Sequence, residues 1–305
     1  MTTDSAAIRT ESLSKRYGRV TALAGLSMTI PRGAVFGFLG PNGAGKTTAV
    51  KLLLGLARPS GGTAEVLGRP AGATTSRRKI GYLPELFRYQ HWLTAREVLA
   101  LHCALAAVPK DERAREIDEA LATVGLSRRA GDRVGTFSKG MQQRLGLGVA
   151  LVGAPELVLL DEPTSALDPV GRHDVREVIR GLRAKGVTVF LNSHLLSEVE
   201  QVCDRVAVVN RGTVVAEGTL DELLGGGEVR LRLSGRGGDA ARAFGEVRTE
   251  GEWIVVRGTP AERIPDLVAA LVGAGARVHA VEPRRDTLEE RFLALLGDDA
   301  AAGAR

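Results

Sequence analysis

Apolar residues fall into three periodicities along the chain. Residues 7–30 alternate in places, as in Leu26, Met28 and Ile30, which predicts antiparallel strands with one buried face. Short, wholly apolar runs at 34–39 ("AVFGFL"), 157–160 ("LVLL") and 187–191 ("VTVFL") predict strands buried on both sides. A strand-like stretch, Ile80 to Leu83, stops at Pro84. Helical spacing marks 48–57, followed by a turn at 58–62. Residues 92–135 read as mostly helical. Thr94 and Glu97 form a capping box there, and Ile117, Leu121 and Val124 share one helix face that ends at Gly125. A further helix runs from Ser138 to about Gly153. Between the runs at 157–160 and 187–191, Val175, Val178, Ile179 and Leu182 recur at helical spacing. Strand, helix, strand with uniformly apolar strands predicts a parallel sheet covered on both faces. Residues 205–218 read as a hairpin turning at Asn210-Arg211-Gly212.

The triple glycine 225–227 marks a boundary, giving a domain over 1–225, with a helical subdomain near 90–155, and a second over 226–305. The tail reads as strand 228–233, helix 239–245, strands 246–249 and 252–257, helix 261–274, strand 276–282 and helix 287–296. That order fits a small α+β module of ferredoxin-like type. It carries no catalytic constellation.

Composition narrows the function classes. Hydrophobic residues make up 44% and charged residues 25%, the balance of a globular protein. No apolar run approaches the ~18–20 residues of a membrane span, and the first residues lack the apolar core of a secretory signal. Cys103 and Cys203 have neither metal-ligand spacing nor the number needed for a disulfide framework, which points to a reducing cytosol. The net charge of +5 suits an anionic partner such as nucleotide or a lipid surface. The basic residues are scattered and aromatics reach only 4%, so a base-stacking platform for nucleic acid is not expected.

The strongest chemistry lies at 40–47, "GPNGAGKT". It satisfies G-x-x-x-x-G-K-[ST] between a buried strand and a helix, the required context for a phosphate loop. Gly40, Pro41, Asn42, Gly43, Ala44 and Gly45 form the loop, whose backbone N–H groups (all but that of Pro41, which has none) can aim at phosphate oxygens, with Thr47 and Thr48 opening the helix. Lys46 reaches the β- and γ-phosphates, and the Thr47 hydroxyl is a Mg²⁺ ligand. The second half of the site is "LVLLDEP". Asp161, at the carboxyl end of its strand, is placed to hold the Mg²⁺ shell. Glu162 points elsewhere and is positioned to polarise an attacking water, which favours hydrolysis over transfer. His194 closes "VTVFLNSH" on the same rim and is a candidate γ-phosphate contact.

Over about residues 7–220 these features resemble the ATP-binding subunit of an ATP-binding-cassette (ABC) transporter. "FSKGMQQRLGLGVAL" (137–151) is similar to the family signature, with Lys139 and Met141 in place of its usual glycine and glutamine. Ser138 can cap a helix that faces outward, an anion site with no phosphate of its own in this chain. By the resemblance, Ser138 and Gly140 close on ATP held by a second subunit, giving a head-to-tail dimer with two ATP molecules between its halves. Tyr17 of "YG" is similar to the aromatic that stacks on adenine. "SALD", ending at Asp168, looks like the loop between the two sites. "GYLPE" puts Glu85 where the family usually has a glutamine that completes the Mg²⁺ shell. The resemblance implies a P-loop NTPase core of α/β class with a mainly parallel sheet, an antiparallel β subdomain and a helical subdomain. It also implies ATP and Mg²⁺ as cofactors. "YLPE", "SKGMQQR" and "EPRRDTLEERFLALL" (282–296) are most like ABC-2-type exporters of drugs, lipids or polysaccharides. That implies a separate transmembrane permease and a place on the cytoplasmic face of the membrane. Two other readings are a soluble ABC ATPase working on ribosomes or nucleic acid, and a regulatory ATP-binding module.

Overall fold

The structure is a computed structural model that describes residues 6–86, 88–165, 167–224, 228–284 and 287–302. It divides into two compact units, Met1–Glu217 and Gly218–Arg305. The boundary expected from the glycines falls at 225–227, outside the described residues.

The first unit opens with β1 (Ala6–Tyr17), β2 (Val20–Pro31), β3 (Val35–Leu39) and α1 (Lys46–Leu53). Then come β4 (Gly61–Val66), β5 (Arg69–Pro70), the single turn α2 (Thr74–Arg77) and β6 (Ile80–Leu83). The helical segment holds α3 (Ala95–Leu105), α4 (Arg113–Thr123) and α5 (Lys139–Leu151). After it come β7 (Leu157–Asp161), α6 (Pro169–Ala184), β8 (Thr188–Asn192), α7 (Leu196–Val202), β9 (Arg205–Asn210) and β10 (Thr213–Thr219). The helix expected at 48–57 starts two residues earlier, at Lys46, and the expected turn at 58–62 gives way to β4 at Gly61.

Strands β2-β1-β4-β5 form an antiparallel sheet, and β10-β9-β3-β8-β7-β6 form the larger one. Within the larger sheet β9, β3, β8, β7 and β6 run parallel. All five residues of β3, of β7 and of β8 are buried, as their unbroken apolar runs require. Phe36 and Phe38 of β3 pack on Phe190 of β8 at ring distances of 6.2 and 5.2 Å. Ile8, Leu26, Met28 and Ile30 of the antiparallel sheet join Leu52 and Leu53 of α1 in the same core. The four apolar residues of α6, Val175, Val178, Ile179 and Leu182, are all buried. Each contributes about 1.5–3 kcal/mol by leaving water.

This topology positions the site. The carboxyl ends of β3, β8, β7 and β6 are neighbours in the sheet, although about 30 to 150 positions separate adjacent ends in the chain. Open parallel sheets bind ligands along that rim.

The second unit comprises α8 (Leu220–Leu224), β11 (Glu228–Gly235), β12 (Glu246–Glu250), β13 (Trp253–Arg257), α9 (Ile264–Gly273), β14 (Ala276–Arg284) and α10 (Leu288–Ala302). Its sheet is antiparallel in the order β12-β13-β11-β14. Counted within the unit that order is 2-3-1-4, the ferredoxin-like arrangement. The helix expected at 239–245 is instead a 3₁₀ turn over Gly238–Ala243. The span between Gly238 and Gly245 is too short to repay α-helix nucleation. Val229, Leu231, Val256, Leu267 and Leu271 make this unit's own core.

Candidate functional site

The phosphate loop runs from the buried end of β3 into α1. Two of its glycines are obligatory on steric grounds. A Cβ on Gly40 would lie 2.3 Å from the Val209 carbonyl oxygen, and one on Gly45 would lie 2.4 Å from that of Ala22. Gly45 also takes a left-handed backbone, φ 100°, at the helix N-cap. The outer side of the loop is held by the β9–β10 hairpin, where Arg211 and Gly212 both turn left-handed. There the Gly212 amide donates to the Ala44 carbonyl at 3.0 Å.

Lys46 is 8% exposed. Its Nζ donates to the carbonyls of Gly40 (2.6 Å) and Pro41 (3.2 Å), so the ammonium folds back into the loop. Burial lowers its pKa, and the negative charges of Glu162, Asp161 and Glu85 oppose that shift. One cation therefore lies in the field of three carboxylates that come from the ends of β7 and β6.

Asp161 is the last residue of β7 and is 2% exposed. It pairs in register with Asn192 of β8, whose Nδ2 donates to Asp161 Oδ1 at 2.5 Å. Burial pushes the Asp161 carboxyl upward, helped by Glu85 and Glu162, while the Asn192 hydrogen bond and Lys46 pull it down. Glu162 has φ 53°, and its amide donates to the Asn192 carbonyl at 2.9 Å. That left-handed step turns its side chain away from that of Asp161. Glu162 Oε2 lies 2.8 Å from His194 Nδ1. The contact has ion-pair length but lacks hydrogen-bond alignment, so the buried oxygen has no aligned donor among the described residues. Asn192 Oδ1 and Thr164 Oγ1, in the same region, are likewise buried without partners. His194 itself is exposed and sits two residues past β8, which closes at Asn192.

The other candidates belong to the same unit. Ser138 caps α5 by accepting from the Met141 amide (3.2 Å), and Asp168 caps α6 by accepting from Gly171 (2.7 Å). Ser138, Lys139, Gly140, Leu167 and Asp168 line one surface hollow of about 390 Å³. Gly140 is half-buried, and a Cβ there would press on Leu167 at 3.3 Å. Glu85 is exposed two residues beyond β6. Tyr17 ends β1 half exposed, with Lys15 Nζ 4.8 Å from its ring centre, so it is a surface aromatic rather than a core one.

Sequence reasoning missed two residues that join these parts. Asn192 bridges the two strand ends. Gln143, 4% exposed on α5, donates from Nε2 to the Pro163 carbonyl at 2.9 Å. Gln143 lies just over one turn into α5 between Gln142 and Arg144, so the local pattern does not mark it as buried.

The donor chemistry fits a hydrated hard cation. Asp161, Glu85 and the exposed Thr47 hydroxyl all offer oxygen, and orphaned oxygens stand beside them. Among the described residues no three His, Cys, Asp or Glu side chains form a metal cage. Such a cation therefore depends on phosphate and water for the rest of its shell.

A phosphate loop, an acidic pair at a neighbouring strand end and a histidine on the same rim define a P-loop nucleoside-triphosphate hydrolase. Comparison with known proteins takes this further. Residues 23–165 match the family model described as ABC transporter. An uncharacterized ABC transporter ATP-binding protein of Nostoc is 42% identical over 284 residues, covering 90% of this chain and 83% of the relative. The daunorubicin resistance ATP-binding protein DrrA3 of Streptomyces coeruleorubidus is 39% identical, covering 96% of each chain. The bacitracin transport ATP-binding protein BcrA of Bacillus licheniformis is 40% identical, covering 71% of each. Among solved structures, an ATP-binding subunit of an ABC transporter is 31% identical with a TM-score of 0.66, covering 71% of this chain and 91% of its own. A dimeric ATP-binding cassette in a post-hydrolysis state with ADP and Pi is 26% identical with a TM-score of 0.64, covering 70% and 99%. The chain belongs to the ABC transporter family as an ATP-binding subunit, and its activity is ATP hydrolysis. Among the described residues no helix is long and apolar enough to cross a membrane.

Proposed function

We propose that this subunit powers export through a separate ABC-2-type permease on the cytoplasmic face of the membrane. In this reading two copies, or this chain and a homologue, close head to tail on two ATP molecules. The observation that carries the catalytic part is the buried Lys46 lying in the field of Glu162, Asp161 and Glu85. The resistance and transport names of the relatives support the exporter part.

ATP enters with its phosphates on backbone N–H groups within residues 42–48, and Lys46 leaves the Gly40 and Pro41 carbonyls for the β- and γ-oxygens. Tyr17 stacks on the adenine. Thr47, Asp161 and Glu85 would hold Mg²⁺, and the chemistry it would supply is neutralisation of phosphate charge. Glu162 Oε2, an acceptor without an aligned donor, orients the attacking water and takes its proton. His194, 2.8 Å away, holds that carboxylate and faces the γ-phosphate. The partner's ATP meets Ser138, Gly140 and Asp168, which share the hollow at the head of α5. The second unit, residues 226–305 in the sequence reading, serves as an accessory domain.

Glu162→Gln tests the reading directly. ATP affinity stays within about twofold, while phosphate release falls by about 10² or more. The trapped dimer then appears in size-exclusion chromatography with ATP. Near-normal phosphate release by this variant would remove Glu162 from the role.

A further inference from the structure

Glu162 and His194 lie on connections, not on strands, yet they meet at 2.8 Å. On the sheet side the β7–β8 register fixes them. On the outer side each connection feeds a helix, Glu162 leading to α6 and His194 to α7. Arg176, Arg180 and Arg183 recur on α6 at spacings of four and three, which puts them on one face. All three reach α7 or the residues flanking its end. Arg176 Nη1 donates to Glu198 Oε1 and Oε2 at 2.9 and 2.8 Å. Arg180 Nη2 donates to the Gln201 carbonyl at 3.3 Å. Arg183 pairs with Asp204 at 2.5 Å, and Asp204 in turn accepts from the Val35 amide of β3 at 2.9 Å.

The Arg176–Glu198 pair differs from the other two in being buried, with side-chain exposures of 15% and 8%. Burying two charges is a poor way to gain stability, since an apolar pair of similar volume often does as well. Here Arg176 Nε is also left without an acceptor among the described residues. What a charge pair provides and an apolar contact does not is a fixed distance and angle between two helices.

Building on the hydrolase reading above, we propose that Arg176 and Glu198 are positioning residues. They lock α6 to α7 so that Glu162 and His194 approach the γ-phosphate as one unit. Both lie outside the phosphate loop and are not among the residues assigned above to nucleotide or Mg²⁺.

The test measures steady-state ATP hydrolysis and thermal unfolding of the full chain for Arg176→Met, Glu198→Leu, the double variant and Arg176→Lys, with Glu162→Gln as control. Each single apolar variant strands a buried charge and lowers the melting temperature. The double variant recovers it to within about 2 °C, because no charge is left unpaired. Its kcat remains down by about tenfold or more with KM for ATP within about twofold, because misplacement of catalytic groups affects the chemical step. Arg176→Lys, which keeps the charge but loses the planar donor, folds normally and shows a kcat loss of about threefold or more. A double variant with wild-type kcat, or a normal kcat in Arg176→Lys, would overturn the proposal. A Glu162→Gln control as active as wild type would instead overturn the role given to Glu162 above, whatever the arginine variants do.

Discussion

At the scale of single residues, the site concentrates electrostatic stress in the absence of nucleotide. Asp161 binds its proton more tightly when folded than when unfolded, because burial disfavours the charged form. A raised folded pKa means that its contribution to stability is full below the ordinary value of 3.8 and is lost as pH rises through the raised value. At pH 7 the nucleotide-free protein bears that cost in full. Asp161→Asn is therefore expected to raise the urea midpoint at pH 7 without nucleotide and Mg²⁺, with the gain shrinking towards pH 4. The same variant loses Mg²⁺-dependent hydrolysis. A lower midpoint at neutral pH would show that the Asn192 hydrogen bond outweighs burial. Gly45→Ala puts a methyl 2.4 Å from the Ala22 carbonyl at a left-handed position, and a loss of about 1–3 kcal/mol follows. ATP binding by that variant, read by isothermal titration, falls below detection.

At the scale of elements, the candidate site residues lie mostly on connections that strands and helices hold in place. The Gln143–Pro163 hydrogen bond ties the helix capped by Ser138 to the loop that follows Glu162. Gln143→Leu leaves a buried carbonyl without its donor, costing about 1–3 kcal/mol. Turnover is expected to fall more than ATP affinity, as read by parallel phosphate-release and nucleotide-titration assays. Equal losses in both would place the effect in nucleotide binding. Elements with strong periodicity were legible beforehand: the apolar stripe of α6, the Thr94–Glu97 capping box and the uniformly buried β3, β7 and β8 all follow from residue spacing. Between residues 61 and 78, β4 and β5 escaped notice because their exposed polar positions give no clean alternation. Asn192 and Gln143 escaped because each acts through a partner 31 or 20 positions away, a distance local patterns do not encode.

At the scale of the whole molecule, the two units have separate cores. Leu231 is fully buried in the second, and Leu231→Ala removes about 2–5 kcal/mol there. Hydrogen exchange should quicken at β11 and β13 while protection at β3 and β8 stays unchanged, a split that a single shared core would not allow. In the motif-bearing unit the parallel core and the phosphate loop could be read because they are written in contiguous runs. The second unit's topology followed from element order, and its first helix did not, because the six residues between Gly238 and Gly245 cannot sustain one. A last consequence follows from the left-handed backbone at Glu162. Few residues other than glycine and asparagine rest comfortably at that φ, so the chain keeps a conformational penalty at the position proposed to orient the attacking water. Wherever natural selection for turnover lapses, as in one half of an unequal pair, drift has an easy downhill path here. Replacement by asparagine or glycine yields a sturdier and silent site, and loss of catalysis is then rewarded rather than merely tolerated.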